Sequence, residues 1–383
     1  MANINLIGTA MIKAYVFTNV PEGLFLKQSP GFSRVVNGVE LTVGMDKPGD
    51  VDVLILFTRA SYSVPTRLPS ERTIFVTGEP DVIHPLSGRF LNQFGQILTT
   101  STRALQTRKI YENFCSIWFA GVDFSKPYTS EHLKGYDYFK TLECPAKSDK
   151  ISIVTSDKAD TEYHRKRLAF IDILKERIPE HLDIYGRGFK SIDDKSDALL
   201  PHKYHLAIEN GNDAFGWTEK LSDPLLTWSF PFHAGCPNIT DDLPAGCFEP
   251  INLDAPEAEA DRMIREIQNG RWDTALPAIA QARQKILDDY NLTFKLAELA
   301  KKAMEIPVAE PRLRRTRLVR SERSLLPEKG ARGSYLQWAI RASLLRLDPM
   351  IELRLSKAQQ KIKARRAERR KLRDAAKEAE NQR

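Results

Sequence analysis

The sequence predicts an α/β chain of two Rossmann-like domains followed by a basic helical tail, and three observations carry that expectation. Short, continuous apolar runs recur through the first half, bounded by polar, Gly or Pro residues. From Lys147 onward, strand-like and helix-like segments alternate. After Met304 the composition turns Pro- and Arg-rich. Runs of the first kind suit parallel strands covered on both faces. Regular alternation suits a doubly wound sheet, whose ligands sit beyond the carboxyl ends of its strands.

In chain order, "AYVFTNV", "VDVLILFTR", "RTIFVTGEP" and "FGQILTTS" read as buried strands. The opening "MANINLIGTAMIKAYVF" supplies a first strand rather than a secretion signal. "KISIVTS" is the next strand, and "DTEYHRKRLAFIDILKERI" a helix with Phe170, Ile171, Leu174 and Ile178 along one stripe. "HLDIYGRG" and "YHLAIEN" are strands. "TEKLSDPLLTWS" is a helix that Pro224 must kink or shorten, because proline removes a helical hydrogen bond. "FPFHAGCPNI" is a strand and turn, and two further helices lead to Met304.

These segments divide the chain into a first domain at 1–146, a second at 147–304, and a linker with tail at 305–383. Within the tail, "SYLQWAIRASLLRL" reads as an amphipathic helix with Leu336, Ile340 and Leu344 in line. The remainder is nearly devoid of large apolar residues. It reads as a solvated helix, a coiled-coil fragment or a disordered segment, separable from the body.

Composition narrows the classes. A 383-residue chain that is 42% hydrophobic, with 18 Phe, sustains two cores and excludes global disorder. No apolar run reaches the roughly 18 residues of a spanning helix. Cys115, Cys144, Cys236 and Cys247 form no CxxC pair and the His residues are scattered. Neither a disulfide framework nor a metal site is expected, and a cytoplasmic setting follows. Residues 311–383 hold 22 Lys+Arg against 8 Asp+Glu, a net +14. With +7 overall, residues 1–310 are left near −7: an acidic body with a basic tail.

No P-loop, GxSxG, HExxH or GxGxxG pattern is present. The chemistry-bearing residues lie instead at strand ends. "TGEP" places Glu79 just after an apolar strand, and "HRKRLAF" places Arg165 and Arg167 early in a helix, where unpaired N–H groups already favour anions. "YHLAIENGNDAFGWTEKL" crowds Glu209, Asn210, Thr218, Glu219 and Lys220 around one strand-to-helix junction. Taken singly, each has a plain reading as a turn, an exposed basic segment or a helix cap.

Together they resemble the family 10 glycosyltransferases, the α-1,3/4-fucosyltransferases. The likeness lies in "LAIEN–GNDAFGW–TEKL" followed by "FPFHAGCPNI", with "TGE" upstream and R–x–x–F on the first helix of the second domain. It is clear over Lys147 to Leu253, thinner around "RTIFVTGEP", and absent after about residue 305. The resemblance implies a GT-B fold, two Rossmann-like domains facing across a cleft, the first (1–146) on the acceptor side and the second (147–304) binding the nucleotide-sugar donor. It also implies inverting transfer of fucose from GDP-fucose to a hydroxyl of a glycan acceptor, a bacterial surface polysaccharide or lipopolysaccharide. Glu79 matches the general base. Arg167 matches the phosphate-contacting arginine, with Arg165 one turn position away as the alternative, and Lys220 matches the phosphate-binding lysine. Asn210 and Glu219 match residues that hold the nucleotide, while Glu209 suits a role in orienting the loop.

The donor is the only small molecule implied, with no metal and no other cofactor. One departure stands out: the family's loop tyrosine is replaced by Gly216, leaving the flanking Phe215 and Trp217 to offer a donor-side ring without a hydroxyl. Bacterial members often end in basic amphipathic segments, so the tail, with Tyr335, Trp338 and its leucines among arginines, implies peripheral docking on the inner membrane. Nucleic acid is not an expected partner, since no aromatic-interleaved platform accompanies the charge. Self-association through the tail is open. The competing readings are the same fold with another nucleotide sugar, and a basic-tailed membrane or RNA adaptor with an inactive body.

Overall fold

The computed structural model describes residues 11–58, 62–79, 84–103, 105–159, 162–308, 316–325, 335–359 and 361–362. The first unit runs β1 (Ile12–Phe17), α1 (Glu22–Leu26), β2 (Val35–Val36), β3 (Val39–Gly44), β4 (Val53–Phe57) and β5 (Val64–Thr66). It continues with β6 (Thr73–Val76), α2 (Gly88–Leu91), β7 (Gln96–Thr99) and β8 (Arg108–Tyr111). Seven of these strands form one sheet in the order β2-β3-β1-β4-β6-β7-β8, parallel except for the β2–β3 pair. Side-chain alternation sends β4 residues Val53, Ile55 and Phe57 into one core and Leu54 and Leu56 into another, so both faces are covered.

The second unit follows as α3 (Tyr136–Thr141), β9 (Ser148–Val154), α4 (Glu162–Arg177), β10 (Leu182–Tyr185), α5 (Ser196–Leu199) and β11 (His202–Ile208). Then come α6 (Glu219–Leu226), β12 (Phe230–Ala234), α7 (Ile239–Asp242), β13 (Glu249–Pro250), α8 (Pro256–Gln268) and α9 (Arg271–Asp288). Its five strands are all parallel, in the order β10-β9-β11-β12-β13. Phe170, Ile171 and Leu174 of α4 join the core of this sheet, as their spacing requires. The two Rossmann-like units are thus present. In the second, strand order reverses between β9 and β11, and a crevice forms at the carboxyl ends of strands that diverge in this way. Helix α6 ends two residues beyond Pro224.

The structure corrects the expected boundaries. Trp118, Tyr136 and Phe139 pack in the second core while Val122 and Leu133, between them, pack in the first, so the stretch from about 118 to 139 serves both units rather than the first alone. The long helical segment that was expected to close the second domain breaks at Asn291. That residue caps α10 (Leu292–Glu305) by accepting from Thr293 N, and its Nδ2 donates to Gln28 O at 2.7 Å. Helix α10 then lies on the first sheet, burying Leu292, Leu296, Leu299 and Ala303 in its core.

The linker expectation is corrected too. β14 (Arg317–Val319) pairs antiparallel with β5, and Val319 is buried against the first sheet. The Arg317 guanidinium donates to Leu68 O at 2.8 Å and Thr73 Oγ1 at 3.0 Å. Val319 completes the cover of the face bearing Tyr15, Leu54 and Phe75, the rest of which is closed by Phe90, Leu91 and Phe94. Further on, α11 (Tyr335–Leu347) and a helical stretch at 351–359 dock through buried Leu345 and Leu353. Leu336 and Ile340 lie on the exposed side of α11. Nearly all of the most basic stretch of the tail, residues 363–383, lies outside the described residues.

Truncation separates the two parts of the tail. A stop after residue 315 is expected to lower the free energy of the first unfolding transition in urea by about 3 kcal/mol, the scale of one buried valine with a few charge-assisted hydrogen bonds. A stop after residue 362 is expected to leave it unchanged.

Candidate functional site

At the carboxyl end of β11, Glu209 is 3% exposed. It accepts hydrogen bonds from Thr218 N at 2.8 Å and Thr218 Oγ1 at 2.7 Å, and Lys220 Nζ lies 3.5 Å away. A buried carboxylate with these partners fixes both ends of the loop between β11 and α6. Thr218 in turn caps α6, accepting from Lys220 N at 3.4 Å. Gly235, at φ +136° beyond the end of β12, admits Glu209: a Cβ there would stand 2.5 Å from that of Glu209.

Lys220 is the hub of the charges. Its Nζ lies 3.0 Å from Glu219 and 3.2 Å from Thr218 Oγ1. Burial alone would lower its pKa, but Glu219 and Glu209 together raise it well above the usual lysine value, and the charge of Glu79 adds to the effect. Glu79, just past the end of β6, therefore acts on a side chain of the opposite unit. Burial likewise works against the charge of Glu219, yet Lys220 and Lys195 overcome it and hold that carboxyl low. Glu209 is pushed up by burial, against the pull of Lys220.

Arg167 is 7% exposed on α4, and its guanidinium donates to Ser156 O at 3.1 Å and Lys158 O at 3.3 Å. It therefore sits beneath the loop leaving β9, on the other side of the switch point from Glu209. Arg165 is exposed and donates to Ala159 O at 3.1 Å. Asn210 is half-buried at the start of the loop. Between α4, the β11–α6 loop and the end of β12 lies a cavity of about 250 Å³, lined by Tyr163, Lys166, Asn212, His233 and Asp254 among others. Lys166 closes one side by pairing with Asp254 at 2.6 Å.

The expectation for Trp217 is corrected. Its ring is 1% exposed, packs edge-on against Tyr290 at 5.1 Å, and donates Nε1–H to Asp242 at 2.7 Å, so it anchors the loop from inside and offers no face to a ligand. Phe215, half-buried, stands edge-on to Tyr111 of the first unit at 5.1 Å. It adopts φ +59°, a left-handed conformation held by Asn238 Oδ1 on its N–H and by Asn113 Nδ2 on its carbonyl. Gly216 closes the same turn, and a Cβ there would lie 2.8 Å from Asp213 O. A tyrosine at 216 is therefore incompatible with this loop conformation.

Two participants were not singled out from the sequence. Lys195 donates to Asp223 at 2.8 Å and to Glu219 O at 3.2 Å, bracing the first turn of α6. It lies in "SIDDKSDALL", where a lysine among aspartates reads as solvated loop. Asn113, 2% exposed, donates to Phe215 O and Trp217 O from the first unit, and only the fold brings it there. Among the described residues, no group of His, Cys, Asp and Glu is disposed to hold a metal ion.

No family model and no curated protein matches the chain. Among solved structures it is similar to an α1,3-fucosyltransferase with GDP, at 14% identity and a TM-score of 0.48, covering 80% of this chain and 94% of the other. The same type of enzyme with GDP-fucose aligns at 15% identity and 0.46, over 78% and 91%. The trehalose-6-phosphate synthase OtsA aligns at 8% and 0.41, over 67% and 72%. Identities and scores this low carry no argument about activity.

The Glu209 clasp and His233 yield separate expectations. Glu209→Ala strips partners from buried Thr218 and Lys220 and should cost about 3 kcal/mol in urea unfolding. Burial, assisted by Lys220, lowers His233 to about 3, so it stays neutral when folded. Between pH 6.5 and about 3 the unfolded chain binds the extra proton, and stability falls as pH falls. In His233→Gln the acid-side slope of stability against pH, followed by urea melts, should be shallower.

Proposed function

We propose that the chain is an inverting glycosyltransferase that moves fucose from GDP-fucose to a hydroxyl of a glycan acceptor. The observation that carries this reading is the convergence on Lys220 of Glu219, Glu209 and, from the other unit, Glu79. A diphosphate leaving group gathers charge as the glycosidic bond breaks, and fixed cations at its position lower that barrier. Lys220 is the cation at the head of α6, and Arg167 is the second, across the switch point. Glu219, held ionised beside Lys220, suits the paired hydroxyls of a ribose, and Asn210, which follows Glu209 at the loop entrance, is the second residue proposed to hold the nucleotide. Glu79, at a strand end of the facing unit, takes the acceptor hydroxyl's proton as general base, so that the acceptor oxygen attacks the anomeric carbon from the side opposite the departing diphosphate. The reaction then needs no ion beyond the protein's own cations. The basic tail, with Leu336 and Ile340 exposed on α11, brings the enzyme to an anionic membrane surface.

A second reading keeps the fold and changes the sugar. It is favoured by Gly216, whose turn has no room for the tyrosine of the fucosyltransferase pattern.

Incubating the protein with a panel of nucleotide sugars and measuring released nucleoside diphosphate decides between the two. GDP release from GDP-fucose alone is expected; turnover of UDP-sugars only would overturn the fucosyl assignment. Lys220→Ala and Glu219→Ala should each weaken GDP binding tenfold or more by calorimetry, the scale of losing one charge-assisted contact. Glu79→Gln should bind GDP normally while its turnover drops by about 10²–10⁴.

A further inference from the structure

A second cavity, of about 350 Å³, shares no lining residue with the first and lies where the C-terminal helices dock on the first unit. Its walls include Tyr62, Arg323, Leu344, Ile351 and Leu355. We propose that this cavity binds an anionic amphiphile, with an alkyl chain against Leu344, Ile351 and Leu355 and a phosphate or carboxylate head on Arg323.

Three observations lead there. First, the apolar wall is unfinished: Leu344 is 37% and Leu355 50% exposed, and Leu336 and Ile340 extend the same face of α11. Exposed leucines around a concavity mark a binding site more often than a core, because each is left in water at a cost. Second, the charge in the cavity is not cancelled. The carboxylate of Glu352 accepts from Ser63 N, Ser63 Oγ and Ser321 Oγ, pairs loosely with Arg341 at 3.5 Å, and also bears on Arg320. Arg323 has no ion pair or hydrogen bond among the described residues. An unpaired guanidinium beside leucines suits a planar oxyanion carried on an apolar chain. Third, the cavity stands where an acceptor would arrive. The segments around it are tied to loops beyond the carboxyl ends of β3, β4 and β6: Lys357 to Asp46 at 3.0 Å, Ser356 to Tyr62 at 2.8 Å, Glu322 to Ser87 N at 3.2 Å. That edge also carries Glu79. On the reading of the first unit as the acceptor side, the inference makes the acceptor glycan lipid-borne.

The test is calorimetric titration of the full chain, without nucleotide, using dodecyl phosphate below its micelle concentration. Saturable binding at one molecule per chain is expected, at least tenfold weaker in Arg323→Glu, Leu344→Asp and Leu355→Asp, with GDP affinity and the far-UV spectrum unchanged. Equal affinity for dodecyl maltoside, equal affinity for inorganic phosphate, or indifference to all three variants would overturn the proposal. So would a dimer in light scattering that Leu344→Asp dissociates, since a second copy would then be the occupant. Failure of the wild type to bind GDP would remove the nucleotide-site reading and leave this result standing. GDP binding without dodecyl phosphate binding would remove only this inference.

Discussion

The buried carboxylate of Glu209 is the constraint on which the candidate site depends. A charge taken out of water at a strand end is tolerable only if donors surround it. Thr218 gives two and Lys220 adds an opposite charge, so the residue that starts α6 is set by the residue that ends β11. Glycine at 235 follows from the same demand, because the neighbouring strand must turn away without a side chain. Once these are in place, Glu219 and Lys220 have little freedom in where they stand.

The loop inside that clasp is fixed by packing of a different kind. Trp217 goes into the second core while Asn113, from the first unit, holds two of the loop's carbonyls. Asp223, fully buried on α6, accepts Phe119 N at 3.1 Å and pairs with Lys195. The connection between the units thus grips both the loop and the helix that follows it. A change in how the units sit would be felt first at Phe215 and at the head of α6, where the conformation is already strained or charge-crowded.

Much of this was legible in the sequence, and for identifiable reasons. Strands such as "VLILF" and "TIFV" are short, wholly apolar and flanked by breakers, which leaves parallel buried strands as the plain solution. Glu209, Glu219 and Lys220 are near each other in sequence, so one strand–loop–helix motif brings them together. What escaped was set by long-range partners. Strand β8, "RKIY", has half-exposed side chains because it is the sheet edge, and so lacks the apolar signature. Trp217 reads as a surface loop aromatic until Asp242 and Tyr290 are placed around it. Asn291 reads as helix interior, and only its bond to Gln28 reveals that two helices meet there. The arginines of 317–325 suggest solvent, yet Arg317 donates to Leu68 O and Thr73 Oγ1 of the first unit.

The return of α10 and β14 to the first sheet has a consequence for how the molecule is made. Beyond the stretch at 118–139, which lends side chains to both cores, the second unit is continuous to about Tyr290, and its parts leave the ribosome together. The first unit is not: its sheet is synthesised before the second unit, but the helix covering one face and the strand covering part of the other emerge after it. Its apolar faces must wait through the synthesis of roughly the whole second unit, at a translation rate of about 5–20 residues per second. The first unit is therefore completed only after the second, and during that interval the nascent chain carries a folded second unit tethered to a partly covered sheet.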